Sequence, residues 1–266
     1  MVSRVALVKC DGNVQESFNQ ALNLIGGIGD LNRAERSVVL KVGVFNHKAS
    51  RMNSPTVNVV SAIVDGFNAA SQIYIAESDN YKGTALERLQ IYKELFTERV
   101  VPFNLSTDTT TREVKIAGEK MRFSGVLFEP NVIVSTHALR RYEKGTILKN
   151  LFGLVPETKK ARFHKKLKEV LLDTYEAIGG VDLAVIDATR TYSGPNARRA
   201  SDTNLLLAGR DAVAVETVGA VLVGLKPEKM DVIQQAMERG LGEGDLENIE
   251  VLGSPVESLK TRFSKL

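Results

Sequence analysis

The chain has 266 residues, of which 43% are hydrophobic and 25% charged, an ordinary composition for a globular protein. Its single cysteine, Cys10, excludes an intrachain disulfide, a cysteine-ligated zinc site and an iron–sulfur cluster held by this chain alone. No apolar stretch reaches the roughly 18–20 residues that span a bilayer, and the first residues lack the apolar run of a signal peptide. We therefore expect a cytoplasmic protein with no membrane partner.

Short β-type runs alternate with helical patterns along the chain. The predicted strands are Val5–Val8, Val38–Val42, Ile73–Ala76, Val132–Ser135, Leu183–Ile186, Asn204–Leu207 and Ile249–Leu252. The predicted helices are Val14–Ile25, Thr56–Ala70, Thr84–Phe96, Ala161–Ile178, Asp211–Val223, Pro227–Arg239 and Val256–Lys265. This alternation favours an α/β fold with a mainly parallel sheet covered by helices on both faces.

One stretch departs from the alternation. Strands over Thr109–Ile116 and Lys120–Phe123, joined by a turn at Ala117-Gly118-Glu119, are predicted to form an inserted β-hairpin. Ser and Thr cluster just before this hairpin, as at a boundary between structural units. We expect the whole chain to form one domain, and the pattern leaves open two lobes, residues 1–106 and 107–266, around a cleft.

Positive charge is concentrated in one segment, although the net charge of the whole chain is only +3. Residues 139–168 hold two acids and ten basic residues, which are Arg140, Arg141, Lys144, Lys149, Lys159, Lys160, Arg162, Lys165, Lys166 and Lys168. A concentrated positive field predicts an anionic ligand, either small and phosphorylated or polymeric. The alternative for Lys165–Lys168 is a solvated helix face.

The first candidate site follows the strand that ends at Val42. Ligands of open α/β sheets bind beyond the carboxyl ends of the strands, and Lys41, Asn46 and His47 lie there. The helix expected after Asn53-Ser54-Pro55 offers free N–H groups and the positive end of its dipole to an anion. Lys41 and Asn46 are therefore candidate cofactor-binding residues, and an ordinary capped loop is the alternative.

The second candidate site runs from the end of the next predicted strand into the basic segment. Thr136 and His137 can donate or accept hydrogen bonds, and Lys149 supplies a cation or an amine nucleophile. Two of the three histidines, His137 and His164, flank that lysine along the chain. We predict catalytic roles for His137, Lys149 and His164, with Thr136 and Asn150 as cofactor-binding residues.

The third candidate site follows the predicted strand Leu183–Ile186. Asp187 ends this strand, where a carboxylate is placed to act as a base, a metal ligand or a partner of a ribose hydroxyl. Arg190 follows as a candidate cofactor-binding residue. The candidate metal ligands of the chain are His137, His164 and Asp187. A polar surface loop is the alternative for this segment.

Four strings carry a close resemblance to the family catalogued as domain of unknown function 362. They are HALRRYEKGTILKNLFGLVP, FHKKL, VIDATRTYSGPNA and LLLAGRDAVAVETVGAVLVG, and the resemblance extends over nearly the whole chain. Family members usually carry Asp where this chain has Glu216, and many append ferredoxin-type cysteine clusters that this chain lacks. The resemblance therefore does not imply electron transfer through iron–sulfur centres here.

A more distant resemblance is to the nickel-dependent lactate racemase family. That family has a strand ending in His, then a Gly-rich turn with Lys, then a second His, and His137, Lys149 and His164 follow in the same order. The resemblance implies that Lys149 tethers a cofactor or binds an anion, that His137 is a metal ligand or base, and that His164 is a base. The family's further catalytic histidine has no counterpart in the segment IAESDNYKG, so the implication is a shared fold and site location.

Two functions remain open at this stage, with an inactive scaffold as a third. The first is an enzyme or cofactor-handling protein that binds a small phosphate- or carboxylate-bearing ligand, with a divalent metal or a nucleotide-type cofactor. Its chemistry is either isomerase- or racemase-like or that of another metal- or nucleotide-cofactor enzyme. The second is a nucleic-acid or ribosome-binding module that uses residues 140–168 as a phosphate footprint. Polymer binding should weaken steeply with salt, whereas ligand binding in a closed cleft should weaken much less. The sequence does not determine the oligomeric state.

The position of the candidate residues also predicts their geometry. Because loops meet at the carboxyl edge of a parallel sheet, we expect Asp187, His137 and the loop Lys41–His47 to converge on one cleft. We expect the stem of Lys149 to be packed and its amine to face the cleft. Burial and neighbouring cations should then lower the pKa of this amine unless an anion is bound.

Overall fold

The computed structural model describes residues 2–46, 54–194 and 199–263. Its strands are β1 Ser3–Lys9, β2 Val38–Val42, β3 Ile73–Glu77, β4 Val100–Asn104, β5 Thr111–Ile116, β6 Glu119–Ser124, β7 Val132–Arg141, β8 Leu183–Ser193, β9 Ala200–Gly209 and β10 Ile249–Gly253. Its α-helices are α1 Val14–Leu24, α2 Val57–Gly66, α3 Ala85–Leu89, α4 Ile147–Asn150, α5 Leu167–Ala177, α6 Ala212–Leu222, α7 Asp231–Glu238 and α8 Val256–Leu259. Short 3₁₀ segments lie at Gln90–Leu95, Gly125–Leu127, Leu151–Gly153, Lys160–Lys166, Pro227–Lys229, Leu246–Asn248 and Lys260–Phe263.

Eight strands form one sheet in the order β10-β1-β9-β8-β7-β2-β3-β4. In the described part of the chain, only β9 runs antiparallel to its neighbours in this sheet, which are β1 and β8. The other pairings are parallel. The expectation of an α/β fold with a mainly parallel sheet is confirmed.

Helices cover both faces of the sheet, because the central strands are apolar on both sides. Val38 and Leu40 of β2 belong to a core cluster that includes Phe18 of α1 and Val59 of α2. Val39, which points to the opposite face, belongs to a second cluster built with side chains of α4, α5, α6 and α7. All five residues of β2 are buried. Only the end of such a strand is accessible to a ligand.

The order in which strands are added to the sheet reverses at β2, and this reversal determines which strand ends are accessible to a ligand. From β2 the chain adds β3 and β4 outward on one side, and it later returns to add β7 and β8 on the other side. In open α/β sheets the crevice at the carboxyl ends of strands beside such a change of direction is the usual ligand position. The fold therefore points to the carboxyl ends of β2, β3 and β7.

The inserted hairpin is present as a separate two-stranded antiparallel sheet of β5 and β6. Its turn residues Ala117 and Gly118 both have positive φ, 49° and 86°, as a tight two-residue hairpin turn requires. The backbone N–H of Ala117 donates to Asp173 Oδ2 of α5 at 2.7 Å, which fixes the hairpin against the helical layer. The predicted turn position is confirmed, and the strand limits shift by one or two residues.

Several elements differ from expectation. The strand β4 was not predicted, because it lies at the sheet edge and contains Pro102, which weakens a strand pattern. The strands β7 and β8 continue past the expected ends at Ser135 and Ile186, so His137 and Asp187 lie within them. The expected helices Thr84–Phe96 and Ala161–Ile178 each divide into an α-helical part and a 3₁₀ part, as do Pro227–Arg239 and the described part of Val256–Lys265. The 3₁₀ part Lys160–Lys166 buries Lys160 and Phe163. The last residues of the expected C-terminal helix, 264–266, lie outside the described part.

The predicted boundary near residue 107 does not divide the main sheet. Strand β2 pairs with β7, and β1 pairs with both β9 and β10, so one sheet combines strands from both stretches of the chain. Among the described residues, none of the helices combines the length and the apolar character needed to cross a bilayer.

Candidate functional site

A cleft of about 320 Å³ opens at the carboxyl ends of β2, β3 and β7. Its polar lining residues include Lys41, Glu77, Asn80, His137, Arg140, Lys149, Asn150, Lys160 and His164. Five of the nine residues singled out in the sequence therefore line it, which are Lys41, His137, Lys149, Asn150 and His164. The residues Asn46, Thr136, Asp187 and Arg190 are not among its lining residues.

The floor of the cleft is a buried ion pair between β2 and β3. Lys41 Nζ donates to Glu77 Oε1 at 2.7 Å, to Asn150 Oδ1 at 2.8 Å and to the Val42 carbonyl at 2.8 Å. Burial lowers the pKa of the Lys41 amine, and the charge of Glu77 opposes this shift. All three ammonium hydrogens have acceptors, so Lys41 holds the floor together rather than offering a free donor to a ligand.

A second buried cation, Arg88, lies close to the other carboxylate oxygen of Glu77. The guanidinium of Arg88, which is fully buried, donates to the backbone carbonyls of Val44 and Ser78 and lies 3.7 Å from Glu77 Oε2. Glu77 Oε1 also accepts the backbone N–H of Val44 at 3.1 Å. One carboxylate thus faces two cations, so the floor already carries excess positive charge.

Asn150 attaches the loop after β7 to this floor. Its Nδ2 donates to the Thr136 carbonyl at 3.0 Å and to Ser135 Oγ at 3.1 Å, while its Oδ1 accepts from Lys41. Gly153 lies so close that a Cβ there would come within 2.6 Å of Lys41 Nζ. The amide of Asn150 is therefore a positioning group, and Gly153 is required by the close approach of backbone to amine.

Glu216 of α6 anchors the start of the same loop. Its carboxylate accepts the backbone N–H groups of Thr146 at 2.8 Å and Leu148 at 2.9 Å, which are the unpaired donors at the start of α4. Burial raises the pKa of Glu216, and these backbone hydrogen bonds oppose the shift. Gly145 has φ 94°, and a Cβ there would lie 3.0 Å from Glu216 Oε2. This anchor sets the position of α4, which carries Lys149.

Lys149 lies partly buried in the wall of the cleft. Its Nζ is 4.3 Å from the centre of the Phe152 ring, and no acceptor for it is found among the described residues. Burial, followed by the charges of Arg140 and Lys41, lowers the pKa of the amine to about 7. Lys149 lines the cleft and is partly buried, and the direction of its pKa shift agrees with the expectation.

Two further cations face the cleft. Lys160 Nζ donates to Ser78 Oγ and to the Asp79 carbonyl, each at 2.7 Å, and burial lowers its pKa to about 8. Arg140 Nε is buried without a hydrogen-bond partner, and burial lowers the pKa of its guanidinium to about 10. Within the described ranges, neither Lys160 nor Arg140 forms an ion pair with a carboxylate. Together with Lys149 they form a cluster of three unpaired cations, called here the cation cluster.

His137 is a buried, neutral imidazole at the edge of this cluster. Its Nδ1 lies 2.9 Å from the Ala138 carbonyl, which only accepts hydrogen bonds, so Nδ1 carries the hydrogen and Nε2 has a free lone pair. Burial, and then the charge of Arg140, lowers the pKa of His137 well below its usual value. Gly43 packs against the ring, and a Cβ there would lie 2.3 Å from Nε2. The free lone pair of Nε2 can accept a hydrogen bond from a ligand.

His164 lies at the rim of the same cleft. It is exposed, and its ring centre is 6.1 Å from that of Phe152. Asn46 is the last described residue before the gap at 47–53, and it is partly buried. His47 and Asn53 lie outside the described residues.

Asp187 does not join His137 in the cleft, contrary to expectation. In the parallel pairing of β7 and β8, Ala138 stands opposite Asp187 and His137 opposite Ile186, so the two side chains point to opposite faces of the sheet. Both oxygens of Asp187 are already used. Oδ2 accepts the N–H and hydroxyl of Thr56 at 2.6 and 2.8 Å, and Oδ1 accepts those of Thr189 at 2.9 and 2.6 Å. Asp187 thus holds the start of α2.

Two other residues singled out in the sequence also lie away from the cleft. Thr136 alternates with His137 along β7, so its fully buried side chain points to the same face as Asp187, and its Oγ1 has no hydrogen-bond partner. Arg190 forms a surface ion pair with Asp202, with Nε 3.0 Å from Oδ1. Thr136 and Arg190 were expected to bind a cofactor, but neither lines the cleft.

The expected metal ligands do not assemble in the described structure. Among the residues that it describes, no group of three or more His, Cys, Asp or Glu side chains is arranged to hold a metal ion. His137 and His164 line the cleft, but Asp187 lies on the other face of the sheet. A zinc ion is held by three or four protein ligands, so the described residues do not by themselves supply a zinc site.

Several residues of the site were missed in the sequence, although two carried a usable signal. Glu77 directly follows the predicted strand Ile73–Ala76, where the same carboxyl-end argument applies as for β2 and β7. Arg88 falls with Ala85, Leu89 and Tyr92 on one helical face, all of them buried, and a charged residue on an apolar face indicates a buried partner.

Comparison with known proteins identifies one matching family. The model of the family described as Domain of unknown function (DUF362) matches residues 38–221, a range that contains all the cleft residues described above. No curated protein matches the chain. Among solved structures, the chain is similar to "Loganic acid methyltransferase with SAH", with 11% sequence identity, 95% of this chain and 68% of that chain covered, and a TM-score of 0.24. A TM-score this low carries no argument about fold or function.

The hydrogen bonds of Asp187 predict a structural rather than a catalytic role. Replacing Asp187→Asn removes the charge that accepts four hydrogen bonds, and should lower the free energy of unfolding in urea by about 1–3 kcal/mol. The matched control Asp202→Asn, in an exposed ion pair, should change it by less than about 0.5 kcal/mol. If phosphate binds in the cleft, as the sequence predicts, Asp187→Asn should leave its affinity within about twofold. A stable variant that has lost phosphate binding would place Asp187 in the site after all.

The unpaired amine of Lys149 predicts a pH-dependent gain in stability on its removal. Its pKa of about 7 lies below the value of about 10.4 in an unfolded chain, so the folded state binds fewer protons between these limits. The cost of its charge is therefore greatest below pH 7 and fades as the pH rises toward 10.4.

We expect Lys149→Met to raise the free energy of unfolding at pH 6 by ~2 kcal/mol, and by clearly less at pH 9. Urea unfolding in a buffer free of phosphate and carboxylates measures both values. The control is Lys144→Met, which removes an exposed lysine of the neighbouring turn and should change stability by less than about 0.5 kcal/mol at either pH. A loss of stability in Lys149→Met at pH 6 would show that the amine has a partner.

Proposed function

We propose that this chain, which belongs to the family described as Domain of unknown function (DUF362), binds a small phosphate- or carboxylate-bearing ligand. The ligand site is the cleft beyond β2, β3 and β7. The family description assigns no activity, so the proposal is argued from the site. The observation that carries it is the cation cluster of Arg140, Lys149 and Lys160.

An anion is the group that this cluster lacks. Burial lowers the pKa of each of the three cations, and none has a carboxylate partner among the described residues. Positive charges held together in a partly buried site repel each other and are poorly solvated. A bound phosphate or carboxylate supplies charge-assisted hydrogen bonds to all three and removes this cost. The cleft volume of about 320 Å³ is at the lower end of the range for small-molecule sites.

The imidazole of His137 supports an enzyme over a simple binding protein. A neutral histidine with a free Nε2 can accept a proton from a ligand once a bound anion offsets the neighbouring cations, which lower its pKa in the free protein. Lys149, with a pKa of about 7, is able to act as a base or a nucleophile near neutral pH. Proton transfer of the isomerase type is therefore the chemistry that we propose.

The related site, the cofactor and the cellular location expected from the sequence are also part of this proposal. His137, Lys149 and His164 line one cleft, as the resemblance to the lactate racemase family implies, and this supports a related site location. A nucleotide-type cofactor agrees with the cation cluster better than a divalent metal held by the described residues alone. We also propose a cytoplasmic location.

The alternative of a nucleic-acid or ribosome-binding module is less well supported by the positions of the basic residues. Arg140, Lys149 and Lys160 turn into the cleft, while Arg162 pairs with acidic side chains and Lys168 lies 3.7 Å from Asp231. Among the described residues, the exposed basic side chains of the stretch that form no ion pair are Arg141, Lys144, Lys159, Lys165 and Lys166. A phosphate footprint would have to depend on these five.

The two functions predict different outcomes for two matched substitutions. Titration calorimetry with pyrophosphate at pH 6.5 should give one site per chain, and Lys149→Met should weaken it at least tenfold because a contacting cation is lost. Lys165→Met, which removes an exposed lysine, should change the affinity less than twofold. Raising the pH through 7 should weaken binding to the wild type, since the amine then loses its charge.

Equal losses from the two substitutions, with a steep salt dependence, would favour the polymer footprint. If pyrophosphate, phosphate and small carboxylates all fail to bind, the proposed function is wrong.

A further inference from the structure

The mouth of the cleft is formed by two exposed aromatic side chains. Phe45 is 47% exposed and Tyr81 is 65% exposed, and both line the same cleft as Lys149. The described residues include only two other exposed large hydrophobic side chains, Val2 and Leu86, and neither lines the cleft. Half of this small set therefore lies at one place, next to three unpaired cations.

The two rings are held in place by the backbone and by one polar side chain. Phe45 and Tyr81 contact each other edge to face, with ring centres 5.6 Å apart. Asn80 Nδ2 donates to the Phe45 carbonyl at 3.1 Å, and Asn80 Oδ1 accepts the N–H of Lys82 at 2.7 Å. Asn80 thus connects the loop after β2 to the turn that carries Tyr81.

The turn itself is tight, which limits the freedom of the Tyr81 ring. Asn80 and Gly83 exchange backbone hydrogen bonds of 3.1 and 3.3 Å across it. Gly83 has φ 137°, which a residue with a side chain adopts with strain. The two rings are inclined by 69°, and Lys82 Nζ lies 4.9 Å from the centre of the Tyr81 ring, so a flat ring can stack on the face of one ring and contact the edge of the other.

Polarity changes from the mouth to the interior of the cleft. Aromatic surface lies at the mouth, and the cation cluster with His137 lies in the wall and floor. Phe152 also lines the cleft, with Lys149 Nζ 4.3 Å from its ring centre. A ligand that satisfies both zones has an apolar flat part at one end and an anionic part at the other.

We propose that the ligand of this cleft joins a flat aromatic ring to a phosphate or carboxylate group, with the ring against Phe45 and Tyr81 and the anion among the cation cluster. This inference rests on the proposed function, since it names the class of anion that binds. A nucleobase with its phosphate and a simple aromatic acid both have this chemistry.

The test compares anions that differ only in the ring. Phenyl phosphate is titrated against methyl phosphate, and AMP against ribose 5-phosphate, by calorimetry with the full chain at pH 6.5. We expect the aromatic member of at least one pair to bind about tenfold more tightly than its partner. A preference in the nucleotide pair alone identifies a nucleotide ligand, and a preference in the phenyl pair identifies a simple aromatic acid.

Substitutions at the mouth then locate the effect. Phe45→Ala and Tyr81→Ala should each reduce the aromatic preference to threefold or less, while binding of methyl phosphate or ribose 5-phosphate stays within about twofold. Leu86→Ala is the matched control, because Leu86 is 44% exposed but lies outside the cleft, and it should keep the full preference. Circular dichroism of each variant verifies the fold.

Equal affinity of both members of both pairs overturns the inference and leaves the proposed function intact. A preference that survives the loss of both rings also overturns it. If none of the four anions binds and inorganic phosphate fails as well, the proposed function falls together with this inference.

Discussion

The buried ion pair between Lys41 and Glu77 joins the ends of two neighbouring parallel strands, and the walls of the cleft are attached to it. Asn150 connects the loop after β7 to the Lys41 amine, and Arg88 supports the carboxylate from behind. Removing one partner from a buried ion pair commonly costs about 3–5 kcal/mol, because the other charge is left uncompensated. The cleft therefore has a rigid floor, on which α4 presents Lys149 toward the ligand space.

Glu77, in the floor of the cleft, is the only carboxylate among the described lining residues. Its pairing leaves no carboxylate in the cleft lining for the other cations. Glu77 is already shared by Lys41 and Arg88, so Arg140, Lys149 and Lys160 are left without a carboxylate partner in the described structure. Stability alone would select against three such cations in one partly buried place. A bound anion would offset the repulsion among these three cations. The free lone pair of His137 would then lie beside that anion.

Features of this fold that depend on residues close in sequence could be predicted, and features that depend on distant residues could not. Strand and helix periodicities are local, so the parallel sheet, the hairpin and a cleft at the carboxyl ends of the strands were all predictable. The relative register of two strands is not local, and a difference of one position places Asp187 on the face opposite His137. The pairing of Lys41 with Glu77 spans 36 residues, so no spacing rule indicates that Lys41 is already neutralised.

The central claim is that an anion binds among Arg140, Lys149 and Lys160, and crystallography with an anomalous scatterer tests it most directly. Crystals soaked in arsenate, a phosphate analogue, should show an anomalous peak in the cleft within hydrogen-bond distance of Lys149 Nζ and the Arg140 guanidinium. The peak should disappear in crystals of Lys149→Met soaked in the same way. Peaks confined to exposed residues such as Lys165 and Lys166, with none in the cleft, would contradict the account.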